Sequence, residues 1–247
     1  MERLPWILGF GVLGSARGVG AAASVLLVPA RLRTRLLPAL VSYATGTLLG
    51  AAFLGMLPEA MQGASPRAVL AIALAGVVTF FALEKLVLWR HCHDADCEEH
   101  QRAVPLILFG DAMHNFVDGV VIGAAFLASV PLGVATSLAA LTHEIPQEVG
   151  DFAILLEAGY GRWKAFGWNL LSSTTTLVGG LLAWGALHQA QHLVPFFLAL
   201  TAGGFIYVAA ADLIPGLHKH VAPKVSAVQV LLVLVGIGTI AALRHAH

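Results

Sequence analysis

Charge is scarce in this sequence. Asp, Glu, Lys and Arg make up 11% of its 247 residues, against about 25% in soluble domains. The 14 basic and 14 acidic residues cancel. That balance leaves no basic surface for nucleic acid and no acidic tail. Cysteine is also scarce. Cys92 and Cys97 are the two present, both in one polar loop, which excludes a disulfide framework. What fills the chain instead is apolar: 58% hydrophobic residues and a mean hydropathy of +0.82.

A spanning helix needs about 20 mostly apolar residues. Eight such segments are expected, at 6–28, 38–60, 67–89, 104–128, 132–158, 164–187, 195–216 and 224–243. Backbone polar groups in lipid must be satisfied internally, so the expected fold class is all-α, a polytopic bundle. The first segment is too long for a signal peptide and is read as retained. No soluble domain and no clear repeat is visible, so residues 1–247 read as one transmembrane domain with a polar loop at 90–103. Orientation follows the loop cations. With the N-terminus outside, Arg31, Arg33, Arg35, Arg90, Arg102, Arg162, Lys164, Lys219 and Lys224 fall inside. Arg3, Arg67 and Arg244 fall outside. Both termini are therefore expected outside, in a plasma or inner membrane.

Two segments contradict their apolar surroundings. The fourth carries "GDAMHNFVDG", with Asp111, His114, Asn115 and Asp118 on one helical stripe. The fifth carries "LTHEIPQEVGDF", in which His143 and Gln147, and Glu144 and Glu148, are four apart, with Asp151 beyond. Each charge near the bilayer centre costs at least about 2.5–3.5 kcal/mol. A divalent cation held between the two helices offsets that cost most economically. Imidazole with carboxylate and amide oxygen suits zinc, iron, manganese or cadmium better than magnesium or calcium, and the lack of thiolate disfavours copper(I). Pro146 frees the carbonyl of Thr142 beside His143. The "HEIPQ" string lacks the second histidine of H-E-x-x-H, which argues against a metalloprotease of that type.

With both motifs in view, the chain resembles the ZIP (Zrt/Irt-like) family of divalent metal transporters. The resemblance rests on "HNFVDG", "HEIPQEVGDFAILLEAG", "GAAFLGMLPEA" on the second segment and "YVAAADLIPGL" on the seventh. It implies a homodimer in the lipid bilayer and metal movement into the cytoplasm. It also implies a site between helices four and five, with elevator-like motion of helices two, four, five and seven. Its ligand positions fall on His114, Asn115, Asp118, His143, Glu144 and Gln147. His114, Asp118, His143 and Gln147 would form a principal site, and Asn115, Asp118, Glu144 and Gln147 a second. Position 147, usually histidine or glutamate in the family, is glutamine here. Helix six, an acid donor in some relatives, reads "NLLSSTTT". On helix two, Ala51 and Gly55 stand where relatives often place polar residues. Asp111, Glu148, Asp151, Asp212 and Glu59 are expected to line the path or lock the bundle. The loop "RHCHDADCEEH" offers His91, Cys92, His93, Cys97 and His100 for metal capture. No catalytic cofactor is expected: Zn²⁺, or Fe²⁺, Mn²⁺ or Cd²⁺, is the substrate. The rival readings are an intramembrane metal hydrolase and a proton-coupled transporter of another solute.

Overall fold

The computed structural model describes residues 3–91, 100–218 and 222–245, and among them the chain is helical throughout. Eight rods follow one another. α1 is Leu4–Leu27. α2 joins Ala30–Gly50, a π-helical stretch Ala51–Met56, and Leu57–Gly63. α3 is Pro66–His91, α4 is His100–Ala128 and α5 is Val130–Glu157. α6 joins Arg162–Ser173 to Thr175–Gln189. α7 joins Gln191–Leu193, Val194–Tyr207, a π stretch Val208–Leu213, and Ile214–Leu217. α8 is Pro223–His245. Five segments among the described residues are long and apolar enough to cross a membrane: Thr34–Gly63, Pro66–Lys85, Arg162–Gln189, Gln191–Leu217 and Pro223–Arg244. α4 and α5 carry the acids of the two motifs within their length.

Two expectations from sequence need correction. The second helix begins at Ala30, not 38, and takes in Pro38. Arg31 to Arg35 suggested a loop, yet they extend the helix before its apolar portion. The sixth rod is two helices meeting at Thr174. Its hydroxyl run explains the joint: Ser172 donates to the Asn169 carbonyl and Thr174 to the Leu171 carbonyl. Such local bonds compete with the helical ladder.

The π stretches in α2 and α7 have a common cause. Pro58 and Pro215 cannot donate to the carbonyl four residues back and would clash with it. The residue before each proline bonds five residues back instead, Leu57 N–H to the Ala52 carbonyl and Ile214 N–H to the Ala209 carbonyl. The widened turns let both helices continue through their prolines.

α2, α4, α5 and α7 supply the central core, in which Ala51, Ala52, Ala124, Ala125, Ala139, Ala199 and Ala202 are fully buried. α4 packs along α6, α2 along α8, and α3 along α7, while α1 lies on α5 and α6. The α4–α6 contact is backbone against backbone. A Cβ on Gly119 would stand 1.9 Å from the Thr176 carbonyl oxygen, and one on Gly179 2.1 Å from that of Phe116. Small residues permit this approach, as is common between membrane helices.

Candidate metal centre

The hairpin of α4 and α5 sets the depth of the site. Its turn is Ser129 alone, extended (φ −154°, ψ 151°), its side chain accepting from Leu132 N–H, with Pro131 in the first turn beyond. His114 lies fifteen residues before Ser129 and His143 fourteen after it. At 1.5 Å per residue both stand about 21–22 Å from the turn. Asp111 and Gln147 each stand eighteen residues away, which places them on a second common level about 27 Å from it.

At the first level His114 Nε2 and His143 Nε2 are 3.1 Å apart. Asp118 Oδ2 is 3.2 Å from His143 Nε2 and 3.6 Å from His114 Nε2. His143 Nδ1 faces the Ala139 carbonyl at 3.0 Å. A carbonyl only accepts, so the proton of the neutral ring sits on Nδ1 and Nε2 carries a lone pair. Asp118 Oδ2 is buried without a hydrogen-bond donor. Two electron-rich atoms thus converge beside His114 Nε2, an arrangement a cation would stabilise; the triad is a group able to hold a metal ion. Donors about 2.05 Å from a tetrahedral zinc stand about 3.3 Å from one another. An octahedral cation with similar bonds would draw neighbouring donors to about 2.9 Å. The observed edges of 3.1–3.6 Å place the three donors close enough to share one cation, and the imidazoles disfavour the larger, oxygen-seeking calcium. Three protein donors leave the fourth corner open to exchange.

Neighbouring helices hold this triangle in place. The Phe205 ring of α7 meets the His143 ring edge-on, centroids 6.0 Å apart. Thr47 of α2 and Thr142 of α5 share a hydroxyl hydrogen bond of 2.7 Å. Thr142 Oγ1 also donates to the Ala139 carbonyl, and α5 continues through Pro146 as one helix.

The remaining ligand positions separate from the triangle. Asn115 Nδ2 donates to Asp111 Oδ1 at 2.8 Å, and its oxygen accepts from Thr176 Oγ1 at 3.2 Å. Gln147 Nε2 points to Asp111 Oδ1 at 3.5 Å, and Ser172 donates to Asp111 Oδ2. Asp111 is therefore the centre of the second level, with both amides turned toward it. Glu144 lines a cavity of about 250 Å³ with Phe10, Leu13, Ile122, Leu141 and Thr176. Asn115 and Gln147 thus have other partners, and Asn115, Asp118, Glu144 and Gln147 are not joined by a mutual hydrogen bond among the described residues.

The other expected positions are spread along the rods. Glu148 is buried, and its Oε1 accepts from Ser173 at 2.6 Å. Asp151 is half-buried, and Asp212 is exposed on the π stretch of α7. Glu59 pairs with Arg244 at 3.2 Å beside a cavity of about 280 Å³ that Gln62, Leu127, Gln191 and Pro195 also line. Ala51 and Gly55 are buried in the π stretch of α2. Of the loop positions, His91 closes α3 and His100 opens α4, while Cys92, His93 and Cys97 lie outside the described residues. Sequence reasoning missed the face of α6. Asn169, Ser172, Ser173 and Thr176 recur every three or four residues, a helical stripe, and all four are buried against α4 and α5. They donate hydrogen bonds to Asp111, Asn115 and Glu148.

Comparison with known proteins agrees with this chemistry. Residues 89–244 match the family described as ZIP Zinc transporter. Zinc transporter ZIP13 of Pongo abelii is 36% identical over 268 aligned residues, covering 96% of this chain and 78% of that protein. Zinc transporter ZIP13 of Homo sapiens is 32% identical, covering 96% of this chain and 80% of its own. Zinc transporter ZIP10 of Mus musculus is 43% identical over a shorter stretch, 44% of this chain and 13% of that protein. Family match, near-full-length similarity and the two-helix motifs coincide: this chain belongs to the ZIP zinc transporter family.

Proposed function

We propose that this protein carries Zn²⁺ across a membrane into the cytoplasm, binding it between α4 and α5 at His114, Asp118 and His143. The observation that carries the reading is the buried triangle with edges of 3.1–3.6 Å and an unpartnered carboxylate oxygen. Two relatives whose similarity covers nearly the whole chain are named zinc transporters. The family is one of transporters, not enzymes, so the hydrolase reading falls away. Fe²⁺, Mn²⁺ and Cd²⁺ suit the same donors and are the expected competitors. With eight rods crossing the bilayer and both termini outside, the charge asymmetry of the loops is satisfied. The second level, with Asp111, then lies on the cytoplasmic side of the histidines. A homodimer is the expected assembly.

The packing favours a regrouped elevator. Close backbone approaches tie α4 to α6, as above, and likewise α2 to α8 and α3 to α7. A Cβ on Gly46 would stand 2.1 Å from the Val233 carbonyl oxygen, and one on Gly203 2.0 Å from that of Ala73. Between α1, α4, α5 and α6 on one side and α2, α3, α7 and α8 on the other, the contact is made by side chains: buried alanines, Gly55 against Leu132, the Thr47–Thr142 hydroxyl pair and the Phe205 ring on His143. Interlocked backbones resist sliding, and smooth alanine faces permit it. We therefore assign the moving unit to α1, α4, α5 and α6, in place of helices two, four, five and seven.

Two assays test these readings. Purified protein in proteoliposomes should accumulate Zn²⁺ against an internal indicator dye, and no uptake above empty liposomes would refute the function. With Cys92 and Cys97 replaced by serine, a disulfide between Gly55→Cys and Leu132→Cys should stop uptake, and reduction should restore it. Uptake undiminished by that bridge would refute the sliding boundary.

A further inference from the structure

Beyond the histidine level, toward the α5–α6 turn, lies a second buried polar group whose free donors are oxygens only. Glu148 of α5 is 1% exposed and Asn169 of α6 is fully buried. Ser173 Oγ donates to Glu148 Oε1 at 2.6 Å, and Asn169 Nδ2 donates to the backbone carbonyl of Glu148 at 3.4 Å. Those bonds hold both side chains beside one residue. The atoms left over, Glu148 Oε2 and Asn169 Oδ1, are buried and have no hydrogen-bond partner. With Glu148 ionised both are acceptors, so neither can satisfy the other. A buried acceptor left without a partner carries a desolvation penalty and calls for an explanation, such as an ion.

Among the described residues, the surroundings add negative charge. Asp111 stands on the neighbouring helix with its oxygens taken by Asn115, Gln147 and Ser172. It adds field, and three donors already occupy its oxygens. Asp151 lies three residues beyond Glu148. Among the described residues, no lysine, arginine or histidine forms an ion pair with Asp111, Glu148 or Asp151.

We propose that Glu148 and Asn169 form a second cation point, distinct from the histidine triangle, which takes the transported divalent metal on its way toward the α5–α6 turn. The inference rests on the transport reading above. Carboxylate and amide oxygens without nitrogen or sulfur favour harder cations, so this point should prefer Mn²⁺ to Cd²⁺, the reverse of the imidazole site. A zinc ion handed from two imidazoles to two oxygens is held less firmly, which suits release.

The test uses the purified full-length chain with Mn²⁺ followed by electron paramagnetic resonance and Cd²⁺ by equilibrium dialysis. The His114→Ala/His143→Ala variant should lose tight Cd²⁺ binding and keep one Mn²⁺. Adding Glu148→Gln should weaken that Mn²⁺ at least tenfold. Glutamine keeps the shape and brings an N–H to Asn169 Oδ1, so the melting temperature should equal or exceed that of the double variant. Asn169→Ala gives an independent check and should also weaken Mn²⁺. No bound Mn²⁺ in the double variant, or Mn²⁺ binding indifferent to Glu148→Gln, overturns the proposal. Cd²⁺ binding that survives loss of both histidines would instead overturn the histidine assignment, while the Mn²⁺ result still decides this one.

Discussion

Replacing Gly119 with alanine should damage the metal centre without touching a ligand. The added Cβ would stand 1.9 Å from the Thr176 carbonyl oxygen, 2.7 Å from its carbon and 2.9 Å from Gly180 N. All three are backbone atoms, so no rotamer change relieves the clash. An ordinary C···O contact is about 3.3 Å, so α4 and α6 must separate by about 1.4 Å. Overpacking of this kind costs about 1–3 kcal/mol. The displacement also reaches the site. Gly119 follows Asp118, and the Asn115–Thr176 bond of 3.2 Å and the Ser172–Asp111 bond cross the same interface. Functional groups must be held to within about 0.5 Å, so a shift of this size should slow Zn²⁺ uptake as well as lower the melting temperature. Gly185→Ala is the control, because its Cβ would meet nothing within 4 Å. Removing a helical glycine there should stabilise by about 0.5–1 kcal/mol. Thermal unfolding followed by size-exclusion chromatography, with uptake on the same samples, compares the two. Equal stability and uptake in both variants would refute the backbone lock between α4 and α6.

Other outcomes follow from the same geometry. Gln147→His should tighten Zn²⁺ binding and narrow selectivity against Mn²⁺, because an imidazole four residues from His143 can reach the open corner of the triangle. Unchanged affinity in equilibrium binding would mean that position 147 belongs with Asp111 only. Deleting residues 91–100 should leave the uptake rate of a well-folded protein largely intact and alter its regulation or the local capture of metal. Abolished transport would place that loop in the pathway.

The eight rods were legible in the sequence because apolar length is a strong signal, and the motif pairs because their polar residues recur every four positions. His114 and His143 meet because the hairpin turns on one residue and places them at equal depth, and Asp118 reaches them from one helical turn after His114. The orientation of the amides was not legible. Asn115 and Gln147 have the right spacing to face a metal, yet both amide nitrogens turn to Asp111, which offers a charged acceptor. Nor did the acid-free "NLLSSTTT" suggest a functional face, since hydroxyls are inconspicuous in composition. Only packing against α4 and α5 turns Ser172, Ser173 and Thr176 into donors for buried acids and amides. The π stretches escaped notice because sequence reading treats a proline as a stop, whereas widening by one residue lets the helix run on.

The central claim is that His114, Asp118 and His143 bind the transported ion. Initial rates of Zn²⁺ uptake into proteoliposomes, for the parent and for His114→Ala/His143→Ala at matched reconstitution, test it most directly. The account predicts accumulation by the parent and uptake at the empty-liposome background for the variant. Near-parental uptake by a folded double variant would contradict it.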